Sequence, residues 1–154
     1  MTDTELLAAL HTALATVDDP EYPGISIADM GMVGECSLRG AHARVVLIPT
    51  FTGCPALDFI ESDVRAAVGG VTGIESVSVE FDQSTIWDTS RLSDHAVRVM
   101  AEEFTVAVAL PSKPTACPRC EHFALVETSM FGPTRCRSIH RCRHCGETIE
   151  MVRA

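Results

Sequence analysis

No stretch of about 18 consecutive apolar residues occurs in the chain, so nothing in it reads as a helix that crosses a bilayer. Basic residues are scarce over most of its length: residues 1–104 hold 5 Lys/Arg against 17 Asp/Glu. A body this acidic repels a phosphate backbone, which argues against nucleic acid as its partner. Residues 117–154 are mildly basic, with 6 Arg against 4 Glu. No aromatic that could stack on a base stands among Arg135, Arg137, Arg141 and Arg143. Paired carboxylate–histidine motifs of the diiron kind are missing, and so are internal repeats and low-complexity runs. The opening MTDTELLAAL carries acids where a secretory leader would carry lysines, and the expectation is a cytoplasmic protein.

What is present is the balance of a folded chain: 154 residues, 46% hydrophobic and 21% charged. Thr2 and Glu5 have the spacing of a capping box, with Leu7, Leu10, Leu14 and Val17 recurring at helical intervals behind them. DDPEYPG then breaks the helix with two prolines and a glycine. A strand is expected over 43–48 and a helix from Pro55, with Leu57, Ile60, Val64 and Ala67 on one face and Gly69–Gly70 as its stop. Residues 74–81 alternate like a half-buried strand, and Ser93 can cap a third helix reaching Phe104. The order α-β-β-α-β-α over 1–104 describes a small α+β domain with a mixed or antiparallel sheet. Residues 105–116, with two prolines and a lysine, read as a linker, and 117–154 as a second unit. A unit of fewer than about 40 residues seldom folds on a hydrophobic core alone.

That second unit supplies its own remedy. Cys117 and Cys120, then Cys142 and Cys145, form two C-x-x-C hooks 21 residues apart. Two intervening residues let both sulfurs of a hook reach one ion from a single turn, and four thiolates make a closed tetrahedral site. Strand-like segments between the hooks complete the pattern of a zinc ribbon. Zinc is the default ion, and iron in a rubredoxin-like site uses the same ligands. Cys136 is either a structural thiol or a further ligand. His122, His140 and His144 could each replace a cysteine, but read more simply as arginine-flanked surface residues.

Cys54 has no such partner in sequence. If the helix begins at Pro55, Cys54 occupies its N-cap, where free amides and the dipole favour a thiolate. Thr50 and Thr52 offer hydroxyls nearby, and Gly53 leaves the approach open. A lowered pKa would suit nucleophilic attack or soft-metal coordination; an inert shielded thiol is the plainer alternative. His11, His42 and His95 are the candidate bases for a nucleophile, and nothing in their spacing singles one out. Asp19 and Glu21 could add oxygen ligands or a negative lip, or merely be solvated.

DPEYPGISIADMGMV over 19–33, followed by PTFTGCP over 49–55, resembles the SufT-like family of iron–sulfur assembly factors. The stretch around Trp87 and the SDHAVRVM helix fall where that family has its own tryptophan and last helix. The tail, with FGPTRC and HRCRHCG, is similar to the PaaD-type subunits associated with phenylacetyl-CoA epoxidase. The resemblance implies an iron–sulfur-assembly-type domain with a zinc-ribbon-like extension. Its implied role is accessory rather than catalytic: maturation of a multicomponent epoxidase whose oxygenase subunit carries diiron and whose reductase subunit carries an iron–sulfur cluster. The family's acidic motif falls on Asp19, Pro20 and Glu21, and its cysteine motif on Cys54 and Pro55. Cys54, alone or with a second Cys54 across a homodimer, would then hold iron or a cluster transiently for the oxygenase or reductase subunit. The competing expectation is a scaffold that docks those subunits without handling metal.

Overall fold

A computed structural model describes residues 1–51, 54–134 and 136–153. The chain divides into two compact units, Met1–Trp87 and Asp88–Ala154.

In the first unit, helix α1 (Asp3–Leu14) starts at the expected capping box: Thr2 accepts from the Glu5 amide and Glu5 reaches back to Thr2 N. Its buried stripe is Leu6, Leu10 and Leu14, continued by Val17; Leu7 is only half-buried, so the face is turned one residue from the sequence reading. DDPEYPG, expected only as a break, forms a hairpin of strands β1 (Asp18–Asp19) and β2 (Tyr22–Ser26). Asp19 Oδ1 accepts the Glu21 amide at 2.8 Å and Asp18 Oδ2 accepts the Gly24 amide at 3.0 Å, so local carboxylates build the turn. Strands β3 (Val33–Arg39) and β4 (His42–Leu47) pair antiparallel. Helix α2 (Ala56–Gly69) then crosses to strand β5 (Ser76–Phe81), which lies parallel to β4. The sheet, ordered β3-β4-β5, is therefore mixed, and its alternation buries Ala43, Val45, Leu47 and Val79. Trp87, the lone tryptophan, is buried and donates its indole N–H to the Met30 carbonyl at 2.7 Å.

The second unit begins with a 3-10 turn (Thr89–Arg91) and helix α3 (Asp94–Glu103), whose N-cap Ser93 accepts the Ala96 amide. Strands β6 (Val106–Val108), β7 (Leu125–Ser129), β8 (Arg137–Cys142) and β9 (Thr148–Val152) make one sheet ordered β6-β9-β8-β7. Only the β6–β9 pairing is parallel. Helix α3 packs on β6 and groups with the ribbon sheet, so the compact units divide at Trp87/Asp88. The linker expected over 105–116 contains β6 instead: Val106, Ala107 and Val108 are all buried, and three apolar residues covered on both faces carry no alternation to announce a strand.

Replacing Trp87 by Phe deletes the bond to Met30 and part of a packed ring. The expected loss is about 1–3 kcal/mol, read from the urea midpoint by far-UV circular dichroism. An unchanged midpoint contradicts the role given to this contact.

Candidate functional site

The four cysteines of the tail converge. Cys117 Sγ lies 3.8 Å from Cys145 Sγ, Cys120 Sγ lies 3.6 Å from Cys142 Sγ, and all four sulfurs fall within 4.8 Å of one another. These separations are too long for disulfides. A tetrahedron with metal–sulfur bonds of about 2.3 Å has sulfur–sulfur edges of about 3.8 Å, so the cage fits such an ion. Cys117 and Cys142 are fully buried in a cluster with Ala107, Ile149 and Met151, which ties the ligands to the sheet. Cys136 stands outside the group: its sulfur lies 3.1 Å from Thr134 Oγ1.

The two hooks are built alike. The Cys117 amide donates to the His122 carbonyl and the Cys142 amide to the Glu147 carbonyl, both at 2.9 Å. Going back, Glu121 N–H bonds the Cys117 carbonyl and Gly146 N–H the Cys142 carbonyl, both at 2.8 Å. The fourth residue after each leading cysteine takes a positive φ, 79° at Gly146 and 64° at Glu121. Glycine adopts that conformation freely; glutamate does not. The turns aim amides at sulfur, and those of Cys145 and His144 pull the Cys142 thiol down to about 6. At Cys120 the His122 amide also lowers the pKa, but burial and the neighbouring sulfurs push the thiol up to about 12. Four thiols this close cannot all ionise unless a cation joins them, and the donor set is suited to hold one.

The histidines divide. His140 is buried rather than superficial, and burial lowers its pKa against the opposing pull of Glu127. His122 and His144 are exposed as expected but stack on each other, ring centroids 3.5 Å apart at 11°. Spacing alone concealed that pairing, because the two rings come from different hooks. Of the arginines weighed for nucleic acid, Arg137 is engaged with Glu150 at 2.7 Å and Arg135 lies outside the described residues.

Cys54 departs from expectation in its position and in its pKa. Helix α2 is capped by Pro55, so Cys54 sits one residue earlier, with its carbonyl accepting the Leu57 amide at 3.1 Å. Its thiol pKa is raised, not lowered. Burial is the main cause, the Ala56 amide opposes it, and the charges of Glu21 and then Asp19 push it further up. The same balance shows what the fold assembles: the β1–β2 hairpin holds both acids within electrostatic reach of the half-buried sulfur. Asp19 itself is 7% exposed. Thr50 lines a cavity of about 300 Å³ with Phe51, Ile86 and Trp87, while Thr52 and Gly53 lie outside the described residues.

Two outcomes follow from this geometry. Glu121→Gly is expected to stabilise the metal-loaded ribbon by about 0.5–1 kcal/mol and Gly146→Ala to cost about 1 kcal/mol, measured as opposite shifts in thermal midpoint. At Cys54, the pH midpoint of iodoacetamide alkylation, followed by peptide mass mapping, should lie above the ordinary thiol value of about 8.5 and fall in Glu21→Gln. A midpoint below about 8.5 contradicts the environment described.

Residues 7–81 match the family described as iron-sulfur cluster assembly protein, and residues 102–153 match the PaaD zinc beta ribbon domain. An Escherichia coli K12 protein assigned to 1,2-phenylacetyl-CoA epoxidase as one of its subunits is 29% identical over 145 residues, covering 89% of this chain and 86% of that one. An Fe-S protein maturation auxiliary factor of Porphyromonas gingivalis is 35% identical over 86 residues, covering 54% of this chain and 80% of the relative. Among solved structures, a DUF59 domain of unknown function from Bacillus anthracis superposes with a TM-score of 0.57 at 26% identity, over 61% of this chain and 90% of that one. The chain belongs to the iron–sulfur cluster assembly protein family and carries a PaaD zinc beta ribbon domain behind it.

Proposed function

We propose that this chain is a non-catalytic maturation factor that delivers or inserts iron or an iron–sulfur cluster into a phenylacetyl-CoA epoxidase complex. The observation that supports the reading is that Asp19 and Glu21, on the β1–β2 hairpin, lie within electrostatic reach of Cys54 ahead of α2. Two carboxylates make a negative field that draws a cation, and one soft thiolate gives iron a specific ligand without enclosing it. Thr50 and Thr52, which precede α2 in the sequence, would supply hydroxyls to the cargo. A lone sulfur releases what it holds more readily than a sealed four-sulfur cage, and a second copy's Cys54 would complete the site during transfer.

In this reading the ion of the tail is zinc, held by Cys117, Cys120, Cys142 and Cys145, and its task is to keep the ribbon folded. Four sulfurs leave it no open position for substrate or water. The clients are the oxygenase or the reductase subunit, met in the cytoplasm. Support comes from the relatives, one assigned as an epoxidase subunit and another as an Fe-S maturation factor. The test is Cys54→Ser in cells that depend on the epoxidase. Activity and the metal content of its subunits are expected to fall together, while the variant protein accumulates normally. Full activity with normally loaded subunits removes the carrier role.

A second reading has its own observation. Phe123, Val126, Met130 and Phe131 are exposed in and beside β7, an edge strand of the ribbon sheet. An apolar edge of this kind suits docking against another protein chain. On that reading the chain is a scaffold, Cys54 is dispensable and the four ribbon cysteines are not. The same Cys54→Ser experiment separates the two.

A further inference from the structure

The likeness of the two hooks makes one difference between them informative. On one flank of the sulfur cage, the third residue of the first hook, Arg119, faces the sixth residue of the second, Glu147, with 3.7 Å between charged atoms. On the other flank the equivalent positions are held by His144 and His122, stacked at 3.5 Å. Where one side has an ion pair, the other has two imidazoles, and beside them lies Cys120. The Cys120 sulfur and one nitrogen from each ring fall within 4.8 Å of one another.

The ring of His122 is already oriented. Its Nδ1 lies 2.9 Å from the Cys120 carbonyl, which can only accept, so Nδ1 carries the proton and Nε2 keeps its lone pair. A backbone carbonyl on the far nitrogen is the usual support of a metal-binding imidazole.

We propose that Cys120, His122 and His144 form a second metal site that takes a borderline divalent ion such as zinc, cobalt or iron(II), with the Cys120 thiolate bridging it to the four-sulfur site. Sulfur and two imidazoles are the donors such ions prefer. Because stacking holds the lone pairs of the two rings in nearly parallel planes, both imidazoles must splay to meet on one ion. Exposed side chains make that rotation within nanoseconds. Three protein ligands leave a coordination position open, and both histidines are exposed. The second ion is therefore exchangeable where the first is sealed. This site is separate from Cys54 and does not rest on the transfer role proposed for it.

The test is a cobalt(II) titration of the anaerobic full-length protein at about pH 7.5. Wild type should bind about two equivalents per chain, the first giving the intense thiolate-to-cobalt bands of a four-sulfur site, the second held more weakly. His122→Ala and His144→Ala should each keep those bands, which reports an intact ribbon, and stop at about one equivalent or weaken the second at least tenfold. Cys54→Ser should keep both. With zinc, the second equivalent should shift the ring resonances of His122 and His144 and spare those of His11, His42 and His95. Saturation of wild type at one equivalent overturns the proposal. So does a second equivalent that survives both histidine variants, or one that disappears with Cys54.

Discussion

Four sulfur atoms within 4.8 Å of one another are the constraint on which the C-terminal unit depends. Two of them, those of Cys117 and Cys142, are fully buried against Ile149, Met151 and Ala107, so the ligands are also core residues. Thiolates packed this way repel one another unless a cation neutralises them, and thiols packed this way waste their donors. Folding and metal binding are therefore one equilibrium. The sheet answers the same need from the other direction, since β8 delivers Cys142 at its end and the parallel pairing of β6 with β9 seals the strand behind it. Even the strained φ of Glu121 follows, because both hooks must close the same turn and only one of them has a glycine at the critical place.

The sulfur of Cys54 obeys opposite rules. It stands before the cap of α2, where burial and then two carboxylates raise its pKa against the opposing helix amide. A thiol so placed is a poor free nucleophile. It becomes an adequate ligand when a cation joins it, because the acids that disfavour an isolated thiolate favour a positive ion beside it. The contrast is the basis for the two roles proposed above, retention at the four-sulfur site and exchange at Cys54, in a chain of the iron–sulfur cluster assembly protein family.

Much of the molecule is legible in its sequence. The capping box at Thr2 and Glu5, the stop at Gly69–Gly70 and the C-x-x-C hooks are local devices whose chemistry lies within a few residues, and each is found where it is expected. Patterns that depend on neighbours are less faithful. Leu7 fits the periodicity of a core face and Leu6 occupies the core, since a helix face is chosen by what packs on it. Val106–Val108 resembles linker because a strand buried on both faces has no alternation. His140 resembles a surface residue because its flanking arginines say nothing about the sheet that buries it. Cys136 is a ligand candidate by residue type alone, and its sulfur lies beside Thr134 instead.

The amino-acid order alone determined the two C-x-x-C hooks of the tail, the acidic character of the first 104 residues and the family resemblance that marks Asp19, Glu21 and Cys54. The hooks and the charge are matters of composition and short spacing, fixed by covalent connectivity. Tertiary structure alone decided that the two acids come within electrostatic reach of Cys54 from a distant hairpin, that burial and those charges raise the thiol, and that His122 meets His144 beside Cys120. Each depends on distances through space between segments far apart in the chain, and charge and coordination respond to those distances, not to sequence separation.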